Sequence, residues 1–237
     1  MKWKAYKKGQ DVSYAFGAFP TIELIKNKPE MVVEILISEA FSEKDMLTEM
    51  IEKEALKYEI NDKAINRLSP KGNVFVIGVF KVGLEEIQDN NHIILDQISD
   101  MGNLGNICRT MLAMGLKDLV TIGNVCDIYN PKTVRASMGA IFYLRHKHYD
   151  TIQEYLKEYP FLDRRGFSFM LNKDSKKLPE VKVCDKWSLI FGNEGSGLPE
   201  EYREISEPVI IPQSSDVDSL NLTTAVAIGC YHFTNII

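Results

Sequence analysis

Beyond residue 93, short and nearly continuous apolar runs alternate with stretches whose apolar residues recur at helical spacing, and this alternation constrains the fold more than any other feature. Ile93–Leu95, Leu119–Ile122, Trp187–Phe191 and Pro208–Ile211 read as strands too apolar to keep one face in water. Ile107, Met111 and Leu112 mark a helix between the first two, and Asn130-Pro131 opens another. The carboxy-terminal segment places Leu222, Ala225, Val226, Gly229, Cys230 and Phe233 on one stripe of a helix. Strands buried on both faces and joined by helices make a parallel sheet with crossover connections, so the fold class is α/β.

The first part of the chain is a smaller α/β unit. Ile22, Leu24 and Ile25 follow Phe19-Pro20-Thr21 in a helix that ends near Lys28, because a residue before proline avoids helical dihedrals. Met31–Ile37 reads as a strand. Ser42 with Asp45 resembles a capping box that opens a helix through Leu47, Met50, Ile51, Ala55 and Tyr58. Asn61-Asp62 and Ser69–Gly72 carry turn signals, and Val74–Phe80 is a buried strand. Gly83–Asn91 is polar and acidic with no apolar period, which reads as an exposed connection. The expected division is residues 1–84, a linker over 85–92 and a second domain over 93–237.

Composition limits the function. With 28 basic and 33 acidic side chains the formal charge is −5, so the chain has no bulk attraction for nucleic acid or anionic lipid, and a polyanion must meet a local basic patch. Cys108, Cys126, Cys184 and Cys230 are too widely spaced for a CxxC pair and read as reduced thiols. His92, His146, His148 and His232 are scattered, which points to no metal. No run approaches a membrane span, and no apolar run or cleavage site follows the lysine-rich start, so cytoplasm is the expected compartment.

Three segments combine glycine, asparagine and ionisable residues at strand ends, where open parallel sheets place ligands. In Asp100–Gly115, Asn103 and Gly105 suit a turn into a helix capped by Asn106, from near whose first turn Arg109 emerges, either as an ordinary surface or salt-bridged arginine or as a donor fork for phosphate or ribose. Phe191–Leu198 follows a strand with three glycines, which permit close backbone approach to a ligand, and with Glu194. It has neither dinucleotide-fingerprint nor P-loop spacing. Ile211–Thr224 leaves a strand through a polar loop and enters the last helix at Ser219-Leu220-Asn221, with Ser219 as N-cap and free backbone N–H groups to hold a polar group.

Together the segments resemble the ordered motifs of the SpoU/TrmH family of S-adenosylmethionine-dependent RNA ribose 2′-O-methyltransferases: N-x-G-x-x-x-R, then FG-x-E-x-x-GL, then IP followed by SLN. Asn130-Pro131-Lys132 and Arg135–Ala140 resemble the family's stretch between motifs. The resemblance covers about Ile93–Ile237 and implies a SPOUT fold, a parallel sheet threaded into a trefoil knot, acting as a homodimer. The segment from Tyr14 to Phe80 resembles an L30e-like substrate domain; because the overall charge is unfavourable for RNA, Lys2, Lys4, Lys7, Lys8 and Lys71 are the cations expected to meet it, with a solvated lysine tail as the rival reading. The resemblance casts Gly192, Gly197, Ile211, Leu220 and Asn221 as cofactor-binding residues. Asn103, Arg109, Glu194, Ser219 and Asn221 form the polar catalytic set, while Arg109, Lys132 and Arg135 meet RNA. Guanidinium stays protonated, so Arg109 is expected to clamp a phosphate rather than act as base. The expected substrate is structured RNA, ribosomal rather than transfer RNA, with S-adenosylmethionine as cofactor, no metal and no membrane. Two rivals are a catalytically silent RNA-binding protein of the same fold and a Rossmann-type enzyme, the latter disfavoured by the missing glycine fingerprint.

Overall fold

The computed structural model describes residues 3–70, 73–172 and 174–234. In chain order the elements are β1 (Val12–Phe16), α1 (Ala18–Asn27), β2 (Val32–Ile37), α2 (Lys44–Lys53), β3 (Tyr58–Ile60), α3 (Asp62–Leu68), β4 (Val76–Lys81), β5 (His92–Asp96), α4 (Met101–Ala113), β6 (Asp118–Ile122), α5 (Pro131–Ala136), β7 (Arg145–Tyr149), α6 (Ile152–Glu158), β8 (Arg165–Phe169), β9 (Lys176–Lys177), β10 (Trp187–Phe191), α7 (Tyr202–Ile205), β11 (Glu207–Ile210) and α8 (Leu222–Thr234). They group into two compact units, one made of the chain up to Gly83 with Asp127–Tyr143, the other of Leu84–Cys126 with the chain from Leu144.

In the first unit the strands are ordered β1-β4-β2-β3, with β4 antiparallel to β1 and β2. Side chains alternate across a strand, so β2 sends Leu36 to a core with Tyr14, Ile65 and Ile77, and Ile35 and Ile37 to another with Ile25, Leu47 and Ile51. The Ser42–Asp45 box does not form: Glu43 is the N-cap and makes no side-chain cap bond. The helix also stops short of Tyr58, because Ala55 takes a φ of 52° and Tyr58 pairs with Ile35. Within Asn61–Gly72, Asn61 caps α3 by accepting the Ala64 N–H at 2.9 Å.

Asp127–Tyr143 lies inside the region expected to be one continuous second domain, yet it packs in the first unit. Tyr6 donates to Asp127, the Ser13 hydroxyl to the Tyr129 carbonyl and the Tyr143 hydroxyl to Glu23. Phe142 meets Phe80 edge-on, with ring centroids 5.1 Å apart. The expected exposed linker also differs, since Leu84 and Ile87 are buried and Ile87 joins the core of the second unit. Two apolar residues six positions or fewer from charged neighbours show no period, which is why the burial was illegible.

The second unit is a seven-stranded sheet ordered β7-β6-β5-β10-β8-β11-β9 in which every neighbouring pair is parallel. The stripe on α8 faces this unit's own interior: Leu222, Val226, Gly229, Cys230 and Phe233 are buried, and Phe233 packs on Phe167 and Trp187. The large apolar residues exposed on α8 are Ile228 and Tyr231.

Polar side chains gather where the central strands begin. Arg164 is buried and donates to the Asn90 carbonyl, His92 Nδ1, Ser188 Oγ and Asp89. His92 Nε2 lies 2.7 Å from the Gln88 carbonyl, so that nitrogen carries the proton and Nδ1 accepts from Arg164 and from Tyr155. Burial, with the Arg164 charge adding to it, pushes the His92 imidazole down from 6.5 to about 4. The unfolded chain then binds a proton that the folded one refuses, so this stabilisation is complete above about pH 6.5 and is lost as pH falls toward 4. The loss is of order 3 kcal/mol. Urea unfolding between those pH values should show His92→Gln removing about one proton of slope; an unchanged slope would place a charged imidazole in the fold.

Candidate active site

Because β8, β10 and β11 are parallel neighbours, their carboxyl ends open together onto one cleft of about 430 Å³. Phe169 and Met170 leave β8, Phe191 through Leu198 follow β10, and Val209 through Ile211 end β11, with Ser219 and Leu220 closing the far wall. Apolar faces come from Phe169, Phe191, Val209 and Leu222, and Phe169 stacks on Phe191 at 4.3 Å. The charged lining is acidic, with Glu194, Glu200 and Asp218 and no lysine or arginine among the described residues.

Of the residues singled out from sequence, Gly192, Glu194, Gly197, Ile211, Ser219 and Leu220 all line this cleft. Asn103 joins them through its side chain, whose Nδ2 donates to Glu194 Oε1 at 3.0 Å. Asn221 lies at the start of α8, where its Oδ1 accepts from the Thr223 N–H and hydroxyl. That cap was expected from Ser219; Asn221 takes it because its carboxamide lies one residue before the helix, in reach of the second free N–H. Lys132 and Arg135 are exposed on α5, in the first unit.

Helix α4 also differs from expectation at its start. Asp100, not Asn106, is the N-cap and accepts the Asn103 N–H at 2.7 Å. Asn106 and both glycines therefore lie inside the helix, and Arg109 projects from its third turn instead of its first. Arg109 is exposed and has no partner among the described residues. Asn172, Asn193, Glu200 and Asp218 were not foreseen in the lining. Strand β8, which delivers Asn172, breaks its apolar run with Arg165, Gly166 and Ser168 and was invisible to periodicity.

The glycine loop is shaped by itself. A Cβ on Gly192 would lie 2.3 Å from the Gly197 carbonyl carbon, and the Gly197 N–H donates to the Asn193 carbonyl at 2.9 Å. Gly192 thus makes a close backbone-to-backbone contact within the loop. Beneath the loop the buried Tyr202 hydroxyl donates to Asp96 at 2.6 Å, and burial pushes the Asp96 carboxyl up from its ordinary value. Gly192→Ala should cost about 2 kcal/mol in thermal unfolding. Gly195→Ala is the control, since its Cβ would meet nothing nearer than 3.5 Å; equal melting of the two variants would contradict the close approach.

Comparison with known proteins finds relatives in sequence and in fold. The Bacillus subtilis 23S rRNA (guanosine(2553)-2′-O)-methyltransferase RlmP is 30% identical over 144 residues, 59% of this chain and 56% of that one. A Streptomyces viridochromogenes 23S rRNA (uridine(2479)-2′-O)-methyltransferase is 28% identical over 59% of this chain and 50% of that one. The chain thus spans about half the length of the curated relatives it matches. Among solved structures, an AdoMet-bound rRNA methyltransferase from Sinorhizobium meliloti superposes with a TM-score of 0.80 at 24% identity, covering 94% of this chain and 86% of that one. The SpoU methyltransferase AviRb from Streptomyces viridochromogenes, in complex with AdoMet, gives 0.80 at 20% identity over 95% and 90%. These two likenesses are in fold. A profile of the SpoU rRNA Methylase family matches residues 90–231, more than half of the sequence and the whole of the cleft, and the chain belongs to that family.

Proposed function

We propose that this protein transfers a methyl group from S-adenosylmethionine to a ribose 2′-hydroxyl in structured RNA, with ribosomal RNA as the substrate class. The observation that carries the reading is the convergence of Gly192, Glu194, Ile211, Ser219 and Leu220 on one cleft at the carboxyl ends of adjacent parallel strands. The cleft suits the cofactor on three counts. Its volume is that of a small-molecule site, its aromatic and aliphatic walls accept a purine, and its carboxylates face a ligand bearing sulfonium and ammonium charges. The names of the Bacillus and Streptomyces relatives support ribosomal RNA. No helix among the described residues is long and apolar enough to cross a membrane.

When bound, S-adenosylmethionine supplies an electrophilic methyl on a positively charged sulfur. The chain's own residues then have to hold and orient the RNA hydroxyl, a poor nucleophile until its proton is leaving. Glu194, gripped by Asn103, is the oriented carboxylate at the cleft. Arg109, unpaired among the described residues, is the fork able to hold the adjacent phosphate in two bonds and to stabilise charge developing on oxygen, with the proton passing to phosphate or water. Gly197, Ile211 and Leu220 supply backbone groups to the cofactor side, and Asn221 keeps α8 starting beside them. Arg109→Ala should therefore leave cofactor affinity within a few-fold by calorimetry and cut single-turnover methyl transfer by about a hundredfold, with Arg109→Lys rescuing little. Asn221→Ala should impair both quantities. Loss of cofactor binding in Arg109→Ala, or transfer at the wild-type rate, would refute this division. A silent RNA-binding protein of the same fold is disfavoured by the formed Asn103–Glu194 contact and is distinguished by the same transfer assay.

The first unit is the RNA-facing part in this reading, an L30e-like domain binding without chemistry. Its sequence carries 15 basic and 13 acidic residues against 13 and 20 in the second unit, so the cations are concentrated there despite the overall charge. Lys4, Lys7, Lys8, Lys132 and Arg135 are exposed in it, while Lys2 and Lys71 lie outside the described residues. Removing residues 1–84 would strip Asp127–Tyr143 of its packing, so charge substitution is the cleaner test. Replacing Lys132 and Arg135 by Ala should weaken RNA binding and reduce its salt dependence by about one to two ion contacts; an unchanged salt slope would remove α5 from the RNA surface. We further propose that the second unit is threaded as a trefoil knot, consistent with β10 lying between the earlier strands β5 and β8, and that the protein acts in the cytoplasm as a homodimer. Light scattering should give twice 27.0 kDa at micromolar concentration, and a stable monomer would exclude the dimer.

A further inference from the structure

We propose that Asn193 is the positioning residue of the cleft, fastening the glycine loop and the Glu194 carboxylate to the Gln97 carbonyl at the end of β5; its catalytic consequence rests on the methyltransferase reading above. All four bonding capacities of the Asn193 carboxamide are used. Its Oδ1 accepts the N–H groups of Gly195 at 2.9 Å and Ser196 at 3.3 Å, which bends the loop. Its Nδ2 donates to the Gln97 carbonyl at 2.8 Å and makes a longer contact of 3.4 Å to Glu194 Oε2. Glu194 is thus gripped on both oxygens, by Asn103 from α4 and by Asn193 from its own loop, and both donors are neutral amides.

The anchor is itself held in an uncommon conformation. Gln97 has a φ of 55°, in the left-handed region that side chains other than glycine rarely occupy, and its N–H donates to the Ile122 carbonyl at 3.0 Å. The preceding residue, Asp96, is fixed by the Tyr202 hydroxyl. A kink retained at some conformational cost and tied on both sides turns its carbonyl toward the loop, and Asn193 is the side chain that meets it.

Asn193→Asp separates this role from simple turn formation. It keeps the Oδ1 acceptor, and aspartate is as good a turn former as asparagine, but it sets a carboxylate oxygen against the Gln97 carbonyl and against Glu194. The positioning role requires cofactor affinity within about threefold of wild type and a fall of about tenfold or more in single-turnover transfer near neutral pH. The ratio of variant to wild-type rates should recover as acid returns a proton, and hence a donor, to the introduced carboxyl. Asn193→Ala, which loses the turn as well, should lose both affinity and rate without acid recovery. Carbon NMR supplies a readout independent of activity: the carboxyl introduced at position 193 should titrate well above the ordinary aspartate value of about 3.9, because it faces another carboxylate. Wild-type rates in Asn193→Asp across pH, or an ordinary titration at position 193, would overturn the proposal. Absence of methyl transfer by the wild-type protein would instead overturn the functional reading, and the titration would still decide the role of Asn193.

Discussion

The central strands β5, β6 and β10 are buried along their whole length and leave little place there for polar side chains, and the rest of the second unit follows from where those side chains go. They collect at the two ends. At the amino ends of β5, β6 and β10, His92, Ser188 and the buried Arg164 satisfy one another and nearby backbone, and Asp118 accepts two bonds of 2.6 Å from Arg145. At the carboxyl ends of β8, β10 and β11 the polar groups are left facing a cleft. A closed network at one end and an open one at the other is the division expected of a sheet that is stable on one side and chemically active on the other.

The open end is nonetheless well determined. Gly192 and Gly197 bring two stretches of backbone closer than any Cβ would permit, and Asn193, Asn103 and the kinked Gln97 hold the result to β5 and α4. A loop following a strand is mobile by default; this one is braced by hydrogen bonds from two neighbouring elements. The same bracing explains how an exposed carboxylate such as Glu194 has a defined direction with no cation paired to it among the described residues.

The first unit depends on a segment that arrives late in the chain. Asp127–Tyr143 supplies α5 and Phe142 to it, and is attached by bonds donated from Tyr6 and Ser13 and by the bond Tyr143 donates to Glu23. A cut made at the end of β4 would therefore leave both pieces with exposed apolar surface, and Lys132 and Arg135 are surface cations of this unit although the sequence places them among the motifs of the other.

Much was readable in one dimension because it depends on local periodicity or on residue type. The apolar runs of β5, β6 and β10 and the stripe of α8 fall where the sequence placed them, and six of the residues picked from the motifs do share one cleft. Helix starts were less legible: Asp100 and Asn221 won the caps from Asn106 and Ser219 because capping is settled by which side chain reaches a free N–H, within about one turn of several candidates. The sequence by itself determined the α/β class and six of the residues that line the cleft, since these follow from period and residue type. Only the tertiary structure decided that Asp127–Tyr143 packs with the first unit, that Gly192 meets Gly197, and that Asn193 meets Gln97, because each is a contact between segments whose spacing along the chain carries no information about their approach in space.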